Sequence, residues 1–301
     1  MSYYQNQPSH STRIEGGSRR SIPSSSEGCV SAPLITIITA VRNGEKTLEC
    51  TIKSIIDQSY DRIEYIIIDG GSTDGTLDII RKFADRVDYW VSEPDKGIYD
   101  AMNKGIRAAT GDLINLLNAD DYLEPGALQL VSERFMTCRI PSIIYGNAYY
   151  MDEAYGLKAL FHSTLSYWLG MTVNHQSMFV HKDIYEAIGL YDTRFQLGGD
   201  YDFFARSMRH NIPFIRIDSA LVNCRNTGAT FSRSAQSKRE VNAINRSYFG
   251  TLSLKRTAFL IFNRIWMPMK LWTRSFLYRT IGTTCTRKAI DQYKRMKKAL
   301  I

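Results

Sequence analysis

The sequence predicts an α/β fold in which a mostly parallel central sheet is flanked by helices, and three observations carry that expectation. Leu34–Ala40 (LITIITA) and Ile63–Asp69 (IEYIIID) are almost fully apolar and β-branched, as strands covered on both faces are. Short runs of this kind alternate with segments of helical spacing, which implies parallel pairing through right-handed crossovers. Several runs end in glycine-rich or acidic turns, and ligands of such sheets sit at the carboxyl ends of the strands.

Taken in order, Asn43-Gly44 turns the chain after the first strand, and Glu45–Gln58 places Leu48, Ile52, Ile55 and Ile56 on one helical face. Ile63–Asp69 ends in GGSTDGT, where Ser72, Thr73 or Asp74 can cap a helix running through Ala84. Val87–Ser92 reads as a third strand, Ile98–Ala108 as a helix and Asp112–Asn118 as a fourth strand. A helix from Pro125 to about Phe135 and a strand Ser142–Gly146 follow. Asn147–Gln176 is mixed and aromatic-rich, with no assignable period. Ser177–Val180 and Pro213–Ile217 read as strands, and Lys182–Gly189 and Tyr201–His210 as helices. The chain from Arg233 reads as helical, interrupted at Pro268.

The 301 residues are 44% hydrophobic, enough for a packed core. The net charge of +8 is uneven: from Arg233 onward there are 16 Lys/Arg against Glu240 and Asp291, whereas the preceding residues hold 22 basic and 28 acidic side chains. Five scattered cysteines argue against a zinc site or a disulfide framework and fit a reducing compartment. No uncharged apolar run reaches the ~20 residues that span a bilayer. The expected organisation is a disordered leader over 1–32, an α/β domain over 33–232 and a basic, amphipathic helical region over 233–301.

GDLINLLNADD (Gly111–Asp121) runs an apolar strand into an acidic corner, Asn118, Asp120 and Asp121. Carboxylates at the end of a buried strand are costly unless a cation or hydrogen-bond donors meet them. Mg²⁺ is held by one or two carboxylates together with a substrate's phosphates. The corner therefore suggests a metal–diphosphate site, with a helix cap or turn before Pro125-Gly126 as the plainer reading. Asp69, in its glycine-rich turn, and Asp95-Lys96-Gly97, before a helix N-terminus that suits anions, fall along the same edge.

The stretches TIITAVRNG, IIIDGGSTDGT, SEPDKGIYDAMNKGI, GDLINLLNADD and GGDYDFFAR resemble family 2 glycosyltransferases of the GT-A fold, the type that acts in bacterial polysaccharide and lipid-linked glycan assembly. The resemblance covers roughly 34–232 and implies a Rossmann-like nucleotide-binding half. It also implies a nucleotide-sugar donor (UDP-, GDP- or dTDP-linked), Mg²⁺ or Mn²⁺, and inversion at the anomeric carbon. By this likeness Thr39, Val41 and Arg42 border the nucleotide, Asp69 accepts a hydrogen bond from the base, and Asp95 and Lys96 lie near the ribose or diphosphate. Asn118 and Asp120 occupy the ends of the family's Asp-x-Asp motif. Because Asn118 replaces the first Asp, Asp120 and Asp121 are expected to hold the metal. Gly70 replaces a frequent second Asp, which leaves a further ribose contact in question.

The family's base lies in a Glu-Asp pair; here Asp200 matches the Asp, Gly199 replaces the Glu, and Asp202 competes for the role. His175, in Asn174-His175-Gln176, is expected in acceptor or diphosphate contact, or else as a structural residue. Asn226–Ser232 (NTGATFS) reads as a closing loop or a solvated connector. The tail interleaves Phe259, Trp266, Trp272 and Phe276 with Lys255, Arg256, Arg264, Lys270 and Arg274, as helices in a membrane interface do. The other reading packs it on the catalytic domain or in a homodimer.

The function expected is an inverting, metal-dependent hexosyltransferase acting on a glycan or polyprenyl-linked acceptor in cell-surface polysaccharide synthesis. Its place would be the cytoplasm, peripheral on the inner face of the plasma membrane, with no nucleic-acid partner. A nucleotidyltransferase and a non-catalytic nucleotide-sugar-binding scaffold are the alternatives.

Overall fold

Seven consecutive buried residues, Ile35–Val41, sit near the middle of one large sheet. The computed structural model describes residues 13–18, 32–138, 140–152, 156–165, 172–225 and 234–249. The chain divides into two compact units, Met1–Tyr248 and Phe249–Ile301. The described elements are those of the first unit, with Phe249 closing its last helix.

In order these elements are β1 (Ile14–Gly16), β2 (Ile35–Val41), α1 (Leu48–Ile56), β3 (Ile63–Asp69), α2 (Thr76–Lys82), β4 (Tyr89–Ser92), α3 (Ile98–Ala108), β5 (Leu113–Leu116) and β6 (Tyr122–Leu123). There follow α4 (Ala127–Cys138), β7 (Ile143–Asp152), β8 (Leu157–Phe161), a 3₁₀ turn at His175–Ser177, β9 (Met178–His181) and α5 (Lys182–Ile188). The last are α6 (Gly199–Arg209), β10 (Phe214–Arg225) and α7 (Ser234–Phe249).

The strands line up as β1-β4-β3-β2-β5-β9-β7-β10-β6, with β8 paired to β7. Strands β4, β3, β2 and β5 are mutually parallel, in the register Val41↔Asp69 and Asp69↔Ser92. Their carboxyl ends therefore share one edge. Strand β9 runs antiparallel between β5 and β7 and joins this parallel half to the β7–β10 pair.

Burial explains the strand composition. One face of β2 and β3 packs Ile35, Ile37, Val41 and Ile67 against Leu48, Ile52 and Ile55 of α1 and Ile80 of α2. Leu128 and Val131 of α4 extend the same cluster. The other face carries Ile38, on which α3 lies so closely that Gly105 meets it. Strands covered on both faces need apolar residues throughout, and these have them.

The expected parallel α/β core is present, and three expectations change. Within the leader predicted to be disordered, β1 pairs with β4, and Arg13 donates to Glu15 and Tyr89; backbone pairing covers an otherwise open edge. The unassigned stretch after Asn147 continues β7 to Asp152 and adds β8. The late strand expected at Pro213–Ile217 extends to Arg225 because it follows β7 through two register shifts. The loop Asn226–Ser232, most of the leader and the tail beyond Phe249 lie outside the described residues. Among the described residues, no helix is long and apolar enough to cross a membrane.

Phe179 of β9 is fully buried where the two halves of the sheet meet. Phe179→Ala is expected to cost about 3–5 kcal/mol, read as a lower urea midpoint with an unchanged m-value.

Candidate active site

The rim of the parallel half is built by two loops that hold each other. Asn43, with a φ of 54°, follows β2, and the GGSTDGT turn follows β3. Asn43 N donates to Ser72 Oγ at 2.7 Å, and Thr73 N donates to Asn43 Oδ1 at 2.9 Å. Glu45 N donates to Asp74 Oδ2, and Gly75 N returns a bond to Glu45 Oε2. Reciprocal pairing of this kind satisfies loop backbone groups and fixes the edge in place.

Asp69 lies at the end of β3 but faces inward. It is fully buried, and its carboxylate accepts from Gly71 N and Ser72 N and from the hydroxyls of Ser72 and Ser92. Thr39 is buried too, with the Tyr65 hydroxyl donating to its Oγ1 at 3.2 Å. Val41 packs in the core and reaches the edge only through its carbonyl, which accepts from Gly70 N. Arg42 and Lys96 are exposed at the rim.

The acidic corner follows β5. Its turn is held from below by Thr51 of α1, whose hydroxyl donates to the carbonyls of Ala119 (2.9 Å) and Asp121 (2.7 Å). Asp121 is 3% exposed and accepts from Arg225 N at 2.7 Å. Burial, reinforced by the neighbouring Asp120 charge, pushes its carboxyl up to about 7. Arg225 Nη1 also donates to the carbonyl of Asp120. Asn118 N donates to Gln176 Oε1 at 3.1 Å, whereas its Oδ1 is buried with no hydrogen-bond partner among the described residues.

An unpaired buried oxygen next to an acidic pair calls for a cation or a donor group. Among the described residues, no three His, Cys, Asp or Glu side chains converge on one point. A hard cation here would take oxygens from Asn118 and Asp120 and the rest from phosphate and water. The donor chemistry fits Mg²⁺ or Mn²⁺. Asp121, expected beside Asp120 as a metal ligand, has one carboxylate oxygen engaged by the Arg225 backbone N–H.

The base candidates separate cleanly. Asp202 is 3% exposed, pairs with Arg206 Nη2 at 3.2 Å and accepts from the Tyr248 hydroxyl at 3.0 Å. Asp200, in the first turn of α6, lines an open cavity of about 460 Å³ together with Lys96, Tyr99, Asn118 and His175. His175 Nδ1 stands 3.5 Å from Asp200 Oδ2, and the Tyr99 hydroxyl is 3.4 Å from Oδ1. Burial lowers the His175 pKa below its ordinary value, so the imidazole is neutral at pH 7. Burial and the charge of Asp200 keep the Tyr99 phenol protonated.

Sequence reasoning missed Tyr99, Gln176 and Arg225. The first two stood within stretches already singled out, but Arg225 carried no motif. Tyr99 also accounts for Gly199: a β-carbon there would come within 2.8 Å of the Tyr99 ring.

With this geometry in hand, likeness to known proteins becomes informative. Residues 36–167 match the profile of glycosyl transferase family 2. The chain is 35% identical over 184 residues to an uncharacterized glycosyltransferase of Mycobacterium tuberculosis, covering 59% of this chain and 70% of that protein. It superimposes on S. aureus TarS 1–349 in complex with UDP-GlcNAc (TM-score 0.57, 15% identity, 71% of this chain and 67% of that one). It also superimposes on the mannosyltransferase PcManGT of Pyrobaculum calidifontis in complex with GDP-Man and Mn²⁺ (TM-score 0.57, 16% identity, 89% and 81%). The fold is thus the GT-A arrangement. The chain belongs to glycosyl transferase family 2.

The raised Asp121 carboxyl makes the metal-free protein pH-sensitive. A carboxyl whose folded pKa lies above its unfolded value stabilises the fold below about pH 4, and that contribution is lost as pH rises through about 7. Thermal unfolding of the metal-free protein should therefore fall between pH 5 and pH 8 by more than it does in Asp121→Asn. Parallel pH profiles of the two would remove Asp121 as the source.

Proposed function

We propose that the protein transfers a hexosyl group from a nucleotide-diphosphate donor to an acceptor hydroxyl, with inversion at the anomeric carbon and with Mg²⁺ or Mn²⁺ required. One observation carries this reading: Asn118 of the acidic corner and Asp200 of α6 line the same cavity, together with Lys96. A diphosphate at the corner and a hydroxyl beside Asp200 would then face each other across one sugar ring.

In this scheme Asp120 and Asn118 would hold the cation, whose positive charge would stabilise the departing diphosphate. Lys96 adds a point charge beside the phosphates. The acceptor hydroxyl approaches Asp200, which takes its proton as the acceptor oxygen bonds to the anomeric carbon. The bond from that carbon to the diphosphate breaks on the opposite face, and its electron pair leaves with the nucleotide. Neutral His175 and protonated Tyr99 flank Asp200 and hold its carboxylate toward the cavity. The nucleotide lies over the ends of β2, β3 and β4, against Arg42 and the backbone of Val41.

The acceptor we infer is a glycan or polyprenyl-linked sugar of cell-surface polysaccharide synthesis. The domain organisation inferred from sequence, with a transferase domain over 33–232 and a basic region after it, suits work at the anionic cytoplasmic face of the plasma membrane. The composition of the chain beyond residue 250 supports that placement.

Asp200→Asn should lower turnover by about 10²–10⁴-fold while calorimetry finds donor affinity unchanged. Asp202→Asn should instead lower the unfolding midpoint, because it breaks the buried pair with Arg206. In a second measurement, Asp120→Ala should abolish the Mn²⁺ dependence of nucleotide binding. Binding by this variant that still strengthens with Mn²⁺ would place the cation elsewhere.

A further inference from the structure

A hydroxyl that gives its proton to Asp200 brings the rest of its molecule into the same cavity. Asp200 Oδ1 accepts from Tyr201 N at 2.8 Å and stands 3.4 Å from the Tyr99 hydroxyl. Oδ2, beside His175 Nδ1, is left for the incoming hydroxyl. The cavity lining around it therefore selects the acceptor.

Two parts of that lining are apolar. Ile98 and Met102, one turn apart on α3, form the first. Half-buried Phe195 and Leu197, in the link between α5 and α6, form the second. Ile98 is 40% exposed. A single exposed aliphatic side chain is ordinary, but several gathered at one cavity with a few polar groups mark a ligand site. The link is also held in place. Phe195 N donates to the carbonyl of Asp192, and the backbone N–H groups of Gln196, Leu197 and Gly198 donate to the Glu240 carboxylate. A ligand thus meets an apolar surface that it does not have to order.

Charge narrows the choice further. Asp100 and Asp200 are the acids among the lining residues, and Lys96 is their cation. In the transfer scheme Lys96 serves the donor's diphosphate. A phosphate or carboxylate next to the reacting hydroxyl would face two carboxylates, and like charges brought together are costly.

We propose that the acceptor is a neutral amphiphile: its hydroxyl reaches Asp200 while an alkyl or aryl group on the same sugar ring lies against Ile98, Phe195 and Leu197. The inference rests on the glycosyl-transfer reading of this cavity and adds the acceptor's chemical class to it.

The test is ligand-observed NMR titration of the full chain with Mn²⁺ and either UDP or GDP present. The probes are the methyl, hexyl and 4-nitrophenyl glycosides of glucose, galactose, mannose and N-acetylglucosamine, with glucose 6-phosphate as the anionic probe. For at least one sugar, the hexyl or nitrophenyl glycoside should bind about tenfold more tightly than the methyl glycoside, as expected when roughly 60 Å² of apolar surface leaves water. A hexyl advantage alone makes the apolar group a lipid chain, and a nitrophenyl advantage alone makes it an aromatic aglycone. Ile98→Ser and Phe195→Ser should each cut the advantage at least threefold, whereas Ile98→Leu should keep it.

An equal affinity for methyl, hexyl and nitrophenyl glycosides overturns the proposal and leaves glycosyl transfer intact. So does an advantage that survives both serine substitutions, since the apolar group then binds elsewhere. Glucose 6-phosphate binding more tightly than methyl glucoside overturns the neutral class. A wild type that binds neither UDP nor GDP overturns the glycosyl-transfer reading, and this inference with it.

Discussion

Burial of the Asp121 carboxylate beneath the acidic corner is the constraint on which the site depends. Its acceptance of the Arg225 backbone N–H ties the turn after β5 to the end of β10, across strands that meet only through β9 and β7. Thr51 grips the same turn from α1 with a two-carbonyl bond. Held from both sides, the turn aims Asn118 into the cavity. Removing a charge from water is unfavourable, and the raised pKa of Asp121 records that cost.

Two departures from the family pattern share an explanation. Where other members carry an Asp after the β3 carboxylate, and a Glu before the base, this chain has Gly70 and Gly199. In each case a side chain from Ser92–Ile106 fills the vacated volume: Asp95 over Gly70 and the Tyr99 ring over Gly199. A carboxylate from the neighbouring strand end thus stands over Gly70, and an aromatic ring borders Asp200.

Much of this was legible in the sequence because burial on both faces forces a distinctive composition. Ile35–Val41 and Ile63–Asp69 announce themselves as central strands, and Ile98–Ala108 appears with the bounds expected for it. Strand β8 did not, since four of its five residues are exposed and its order comes from pairing with β7. The side-chain directions at the site were equally hidden. A sequence shows that Asp69 and Asp121 are carboxylates at strand ends; it does not show that Ser72, Ser92 and Arg225 have claimed them. The choice between Asp200 and Asp202 rested on helical phase, which turns one toward the cavity and the other toward Arg206.

The half-buried Glu240 of α7 has a reach beyond its own helix. Its carboxylate accepts from the consecutive backbone N–H groups of Gln196, Leu197 and Gly198, the three residues that lead into α6. Asn245 and Tyr248, on the same helix, hold Tyr201 and Asp202. Helix α6, which carries Asp200, is therefore seated by a segment that follows the matched family region by some seventy residues in sequence. When lineages recombine transferase modules with new tails, a junction drawn before α7 would separate Asp200 from its mounting. A change in α7 would then reach the placement of Asp200 without touching it.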